Sequence, residues 1–299
     1  MTERVLVTGV TGFVGRALAA ALGADGWEVH GVSRSPDGAR AAVPALAGAL
    51  APEDVTGPRL SDFTAVVHLA GEPVAGRWTR AKMRKIMDSR VEGTRAIVDA
   101  IRDADPRPEV LVSASAMGYY GPRGEDELTE DEPPGDDFLA DVCVAWEREA
   151  VKAKALGVRV VMPRIGLVLG PNGGALGAML PLFKAGLGGK IGSGRQWWSW
   201  IDLDDLVRLV VKALKDDAME GPYNAVAPEP IRQADFAKTL AKVLSRPAFL
   251  PAPAFALKAI TGGFAAELLS SRRLYPTRAR QAGFGFRHAD LEAALRRSV

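Results

Sequence analysis

Val5-Leu6-Val7-Thr8-Gly9-Val10-Thr11-Gly12-Phe13-Val14-Gly15 decides how this chain is read. Three β-favouring residues run into glycines at 9, 12 and 15, and these open an apolar helical pattern of Phe13, Val14, Leu18 and Leu22. At this spacing one glycine makes the tight turn and a second lets the backbone approach a pyrophosphate. The third lets helix and strand pack closely, and the helix N-terminus offers free N–H groups and a positive dipole end to the anion. A glycine triplet alone is a weak signal, but one that follows a strand and opens a helix stands in the required context. The segment predicts a dinucleotide at this end of the protein, with Gly9, Thr11, Gly12, Phe13, Val14 and Gly15 around its phosphates.

Outward from this unit, strands alternate with helices for about two-thirds of the length. Gly26 stops the first helix, and Trp27 to Arg34 reads as a second strand. A weakly patterned Ala/Pro/Gly stretch follows as far as Asp54-Val55. Ala65 to Gly71 is a short buried strand, Arg80 to Ile101 a helix, Val110 to Ser113 a strand, Asp137 to Leu156 a helix and Val158 to Pro163 a further strand. This rhythm predicts an α/β fold, a Rossmann-type doubly wound parallel sheet with ligands at the carboxyl ends of its strands. The rhythm then changes. Gly166 to Gly194 is glycine-rich with a helix around Leu176 to Ala185, a tryptophan cluster follows, then a helix from Asp204 to Leu214 and a Pro-punctuated, mostly helical tail. Residues 1–225 are expected to form the dinucleotide-binding domain and 226–299 a smaller C-terminal helical lobe. Segment 166–200 contributes to the substrate side, and the lobe is laid across the sheet rather than folding by itself.

Bulk properties narrow the partners. With 38 basic and 36 acidic residues the net charge is +2, which supports neither a nucleic-acid nor a membrane-surface partner. The hydrophobic fraction of 47% is that of an ordinary globular protein. Cys143 is the sole cysteine, so no intramolecular disulfide can form and a reducing, cytoplasmic home is expected. The chain opens on a core strand, which leaves no room for a signal peptide. The richest apolar stretch, Phe255 to Leu269, carries Lys258 and Glu267 and does not reach the ~20 uncharged residues of a membrane span. Three scattered histidines and one cysteine make no metal-ligand cluster. A small-molecule substrate and a monomer or homodimer are expected.

The second strand addresses the adenosine end. Where NAD-binding chains carry an acid about twenty residues beyond the glycines, this strand ends in Ser33-Arg34, and Glu28 lies at its wrong end. A hydroxyl followed by a guanidinium suits a 2′-phosphate, which predicts NADP(H) over NAD(H), unless Arg34 is merely a surface arginine.

Further motifs stand in order: Leu69-Ala70-Gly71-Glu72-Pro73, Asp88-Ser89-Arg90, Ser113 to Pro122, Gly135 to Leu139, Gly192-Ser193-Gly194-Arg195-Gln196-Trp197 and Ala227-Pro228-Glu229-Pro230. On these the chain resembles, over nearly its whole length, the extended short-chain dehydrogenase/reductases. More narrowly it is similar to an uncharacterised, atypical epimerase-family branch with a C-terminal domain of unknown function. The resemblance implies a bound nicotinamide dinucleotide. It carries the glycine loop to the pyrophosphate, Ser33 and Arg34 to the adenosine ribose phosphate, and His68, Leu69, Ala70 and Gly71 to the wall beside the ribose. Arg164, Ile165 and Leu167 fall near the nicotinamide, and Arg84 and Ser89 are weaker candidates for phosphate contacts. Leu69, Ala70 and Leu167 read equally as core residues, and Arg84 and Ser89 as a solvated helix face.

The family moves a proton through a Tyr-x-x-x-Lys pair, the lysine lowering the tyrosine pKa and holding the nicotinamide ribose. Here the tyrosine position falls at Leu139 and the lysine at Cys143, with Glu147 in register with a common helix acid. Leucine has no proton and a neutral thiol gives no positive field. Cys143 reads as a small buried residue rather than a nucleophile. Ser115 matches the family's catalytic serine. Tyr119 or Tyr120 could replace the missing acid, or be a packed aromatic turn; Glu72 is a further carboxyl, or a helix cap or ion-pair partner. The phosphate-gripping arginine of sugar-nucleotide epimerases falls near Trp198 and an asparagine of theirs at Leu167, which argues against a UDP-sugar. Instead Arg195, Gln196 and the tryptophans around Trp198 could wall a substrate pocket in which Tyr120 joins, or could form core or an interface.

Two classes of function follow. One is an NADPH-dependent oxidoreductase or epimerase-like enzyme acting on a small carbonyl compound with a non-standard proton donor. The other, suggested by the lost pair and by a link of related plastid and cyanobacterial proteins to cell division, is a coenzyme-bound sensor or interaction protein without turnover.

Overall fold

The structure, a computed structural model, describes residues 3–248 and 250–299, apart from the side chain of Ile260. The first half runs β1 (Arg4–Thr8), α1 (Phe13–Ala24), β2 (Glu28–Val32), α2 (Pro36–Ala42), β3 (Gly48–Leu50), α3 (Gly57–Leu60), β4 (Ala65–His68) and α4 (Arg80–Arg102). It continues through β5 (Val110–Ser113), β6 (Ser115–Ala116), β7 (Glu127–Leu128), α5 (Phe138–Val151), β8 (Arg159–Ile165) and β9 (Leu167–Leu169). Then come α6 (Gly174–Lys184), β10 (Trp197–Trp198), β11 (Trp200–Asp202), α7 (Leu203–Lys215), β12 (Gly221–Ala225) and β13 (Ile231–Arg232). The tail holds α8 (Gln233–Leu244), α9 (Ala254–Thr261), α10 (Phe264–Leu269), β14 (Arg273–Leu274), α11 (Thr277–Gln281) and α12 (Leu291–Ser298).

The main sheet has the order β12-β8-β5-β4-β1-β2-β3, with β6 paired to β8, and every pair in it is parallel. The central strands are apolar on both faces because helices cover both. Val5, Val7, Val67 and Val112 meet α1 and α7 on one side, while Leu6, Val66, Leu111 and Met162 meet α4 and α5 on the other. The strand order reverses between β1 and β4, which opens the crevice where open α/β sheets take their ligands.

The expected fold is present, with three additions. The stretch after the second strand holds α2 and edge strand β3, too rich in Ala and Gly to show a period. β12, with the sequence Gly-Pro-Tyr-Asn-Ala, has poor strand propensity, but as an edge strand it tolerates Pro222. β9 pairs with β11 to tie the glycine-rich segment back to the tryptophans. The smaller lobe has its own apolar cluster of Leu176, Phe183, Trp198, Trp200, Phe236 and Leu240, joined by Leu291 and Leu295 of α12. No described helix is long and apolar enough to cross a membrane.

Candidate active site

Two of the three glycines do the turn and packing work that the spacing assigns. Gly9 has φ +67°, and a Cβ there would lie 3.0 Å from the Ala70 nitrogen, so the turn and the close approach of the β4 exit both need glycine. A Cβ on Gly15 would overlap the Gly9 carbonyl and lie 2.7 Å from Val10 Cα, so Gly15 is the packing glycine. Gly12 is exposed and extended, and its Cβ would meet nothing but the Gly9 carbonyl at 3.1 Å. That backbone contact is the one protein constraint on a side chain there among the described residues. Helix α1 opens with no side-chain cap and no acid in its first turn, whereas Thr79, Asp137 and Asp202 cap α4, α5 and α7. Bare N–H groups beside a position without a side chain fit a pyrophosphate. Thr8 fastens the rim. Its Oγ1 accepts from the Leu69 and Ala70 nitrogens at 3.2 and 3.1 Å and shares a hydrogen bond with His68 Nδ1 at 2.8 Å. Phe13 rests in a cradle of glycines, since Cβ atoms on Gly170, Gly173 and Gly174 would each fall within 3.0 Å of its ring.

At the adenosine end Ser33 Oγ accepts from the Ser35 nitrogen at 3.1 Å, and Arg34 is exposed with no carboxylate in ion-pair range among the described residues. Glu28, at the far end of β2, is spent on His30 and Arg4 at 2.7 and 3.0 Å. Glu72 accepts from Lys82 Nζ at 2.7 Å, and that bond, aided by the charges of Lys85 and Arg34, holds its carboxyl below the usual range. It stands ionised near neutral pH. Ser89 Oγ accepts from the Glu72 nitrogen at 2.9 Å and donates to the Ile86 carbonyl, while Arg84 is exposed on α4.

The alternation that points Leu6, Val66, Leu111 and Met162 at α4 and α5 carries on to Thr8, His68, Ser113 and Arg164, which makes a polar layer at the carboxyl ends of these strands. Arg164 is 3% exposed. It grips Glu147 through Nε at 2.8 Å and Nη2 at 2.9 Å, and its Nη1 donates to the Tyr120 hydroxyl at 2.9 Å. Ser115 donates to Glu147 Oε1 at 2.6 Å, and Tyr120 donates to Asn224 Oδ1 at 2.7 Å. Tyr120 is fully buried, and desolvation pushes its phenol well above the usual range. Tyr119 is half-buried, its ring centroid 3.4 Å from the Arg164 guanidinium carbon, and its hydroxyl has no protein partner among the described residues. Leu139 and Cys143 do face this turn: a Cβ on Gly118 would lie 3.1 Å from Leu139 Cβ and 3.6 Å from Cys143 Sγ. Burial pushes the Cys143 thiol up to about 12 and His68 down to about 4, the latter with help from the charge of Arg90. Ile165 and Leu167 are half-buried where β8 passes into β9.

The structure departs from the aromatic-walled pocket. Trp198 and Trp200 are interior, Trp198 packing on Phe236 with ring centroids 5.3 Å apart. Gln196 is buried and donates to the carbonyls of Ile191 and Leu268. The guanidinium carbons of Arg232 and Arg273 lie 3.9 and 4.7 Å from the Trp197 ring centroid, Trp197 donates to Glu125, and Arg195 is exposed. Burial of indole area outweighs the polar residues around it, so this segment is lobe core with a paired surface. Two grooves of about 710 and 390 Å³ run along α7, the smaller also lined by Ala17 of α1 and by Gly170 of the Phe13 cradle.

The glycine cradle of Phe13, the Glu147–Arg164 pair and the Asn224 partner of Tyr120 escape sequence reasoning. A charged residue inside the apolar run Val160 to Leu169 was the available sign of the buried pair. The parallel sheet and the bare loop at its switch point define a Rossmann-type protein of the extended short-chain dehydrogenase/reductase kind. The chain belongs to the NAD-dependent epimerase/dehydratase family, whose model matches residues 5–225, and a domain of unknown function, DUF1731, matches 252–298. It is 43% identical over 297 residues to the epimerase family protein SDR39U1 homolog, chloroplastic, of Arabidopsis thaliana, covering 98% of this chain and 85% of that one. It is 36% identical to the epimerase family protein YfhF of Bacillus subtilis, covering 97% and 96%. The crystal structure of human epimerase family protein SDR39U1 with NADPH superposes with a TM-score of 0.87 at 35% identity, covering 98% of each chain. A UDP-glucuronic acid 4-epimerase from Bacillus cereus shares the fold, with a TM-score of 0.81 at 19% identity over 99% and 98% of the two chains.

Proposed function

We propose that this chain binds NADP(H) in the crevice between β1 and β4 and acts on a small carbonyl compound as an oxidoreductase or epimerase-like enzyme. The observation that carries the binding is the outward-facing Gly12 at the uncapped start of α1. The NADPH of the human relative and the free Arg34 support the phosphorylated form. In this reading the loop N–H groups from Gly12 to Val14 hold the pyrophosphate, and Ser33 with Arg34 hold the 2′-phosphate. Leu69, Ala70 and Gly71 form the wall beside the ribose. The coenzyme, when bound, supplies or accepts a hydride.

Tyr119 handles the proton, by elimination. Ser115 already gives its proton to Glu147, the Tyr120 hydroxyl is committed to Asn224, and ionised Glu72 can accept but not donate near neutral pH. The buried Arg164 under the Tyr119 ring fixes its orientation. The second reading, a coenzyme-bound protein without turnover, is favoured by the burial of Leu139, which brings no proton, and of Cys143, which brings no positive charge.

One experiment separates them: titration with NADPH and NADH, then NADPH consumption against a panel of aldehydes, ketones and oxoacids. Binding of NADPH, weakened about tenfold by Arg34→Ala with NADH little changed, supports the phosphate assignment. Turnover abolished by Tyr119→Phe at unaltered NADPH affinity supports the enzyme. Tight binding with no turnover on any carbonyl supports the second reading.

A further inference from the structure

Arg90 is the exception among the arginines of this molecule. Every other arginine that is buried or half-buried has a carboxylate within ion-pair distance, Arg164 on Glu147 and Arg272 on Glu267 among them. Half-buried Arg90 has none among the described residues. Its Nη1 donates to the backbone carbonyls of Glu72 at 3.0 Å and Ile86 at 3.2 Å, and its guanidinium carbon lies 5.1 Å from the Trp146 ring centroid. The head is therefore held in place, while Nε and Nη2 have no hydrogen-bond partner among the described residues. Glu72 turns its carboxylate to Lys82 instead. Taking a cation half out of water with no carboxylate in ion-pair contact is costly, and burial draws the Arg90 pKa below its ordinary value against the opposing charge of Glu72.

The position gives that cost a use. A Cβ on Gly71 would lie 3.1 Å from Arg90 Cζ and 3.3 Å from both terminal nitrogens, so the guanidinium stands at the exit of β4, on the wall of the proposed coenzyme crevice. Trp146, beneath it, is one turn along α5 from Cys143. Two buried ring nitrogens here, His68 Nε2 and Trp146 Nε1, also lack partners among the described residues. We propose that Arg90 is an anion-binding side chain of the cleft, and that the small molecule taken beside the coenzyme carries a carboxylate gripped by the parallel Nε–H and Nη2–H of this guanidinium. The positive charge that a lysine on α5 would bring comes instead from α4. This rests on the coenzyme reading above.

The test uses the full chain saturated with NADPH, after NADPH binding has been measured alone. Malonate and its neutral isostere malonamide are titrated by calorimetry into wild type, Arg90→Met and Arg90→Lys, with circular dichroism as the check on folding. Wild type should bind malonate and not malonamide. Arg90→Met should weaken malonate about tenfold or more, and Arg90→Lys should fall between because a point charge keeps attraction but loses the fork. NADPH affinity should stay within about twofold in both variants, as the wall position leaves the phosphate loop untouched. Malonate that fails to bind wild type, or binds Arg90→Met equally well, overturns the proposal; so does a tenfold loss of NADPH affinity in Arg90→Met, which would make Arg90 a coenzyme ligand. If Arg90→Met does not fold, malonate bound by Arg90→Lys as tightly as by wild type overturns it. Absence of NADPH binding in wild type overturns the coenzyme reading instead, a result visible before any malonate is added.

Discussion

His68 shows how a residue's surroundings rewrite its chemistry. Its ring is 2% exposed, tied to Thr8 through Nδ1, and kept neutral down to about pH 4 by burial and then by the charge of Arg90. The unfolded chain takes up that proton near pH 6.5, while the folded chain refuses it until about 4. Between these values the unfolded state binds more protons, so this group's contribution to stability is fully present above pH 6.5 and is lost as pH falls toward 4. The span corresponds to ~3 kcal/mol. Urea denaturation at pH 7 and pH 4.5 should show wild type losing more stability between the two than His68→Gln, whose amide does not titrate. Equal losses would count against the burial argument. Ser115 makes the complementary point. Its place in the Ser113 to Pro122 segment could be read from sequence, but not that its proton belongs to Glu147, which is 32 residues away and itself fixed by a strand further on.

At the scale of the element, the glycine loop was legible because Gly9 and Gly15 answer local constraints of turn and packing. Its three positions are not equivalent. Gly15→Ala forces a methyl into the Gly9 backbone, an overpacking that should cost about 1–3 kcal/mol or more, seen as a lowered melting temperature. Gly12→Ala should leave the melting temperature within a few degrees, since its methyl meets only the Gly9 carbonyl, and on the proposed reading should weaken NADPH about tenfold by crowding the loop N–H groups. A Gly12→Ala protein that binds NADPH normally would remove the chief support for the coenzyme site. Other elements were not legible. β3 and β12 are short edge strands whose sequences carry little β-propensity, and they form because β2 and β8 offer open ladders. The tryptophan run could be read as pocket or core, and burial of large apolar area decided for core.

At the scale of the molecule, residues 252–298 do not stand apart. β14 adds to β7, Ala279 and Phe284 enter the core on the α1–α7 face, and α12 closes the lobe cluster. The Glu130 carboxylate accepts from the Asn224 and Arg278 nitrogens, which ties the tail to the sheet edge. The chain should therefore unfold in one cooperative thermal transition, and a version ending at residue 225 should be insoluble or lack a cooperative melt. Two separated transitions by calorimetry, or a folded truncation, would show the tail to be an independent domain.

The seat of Phe13 has an effect on how this molecule can change. Its backbone opens the first helix, while its ring is enclosed by Gly170, Gly173 and Gly174 from the far side of the chain. Any mutation that thickens that glycine triplet pushes on the residue that opens α1 beside Gly12. The glycine-rich segment after β9 is thus mechanically geared to the start of the first helix. Diversification along this lineage should spare that triplet even where it touches no ligand.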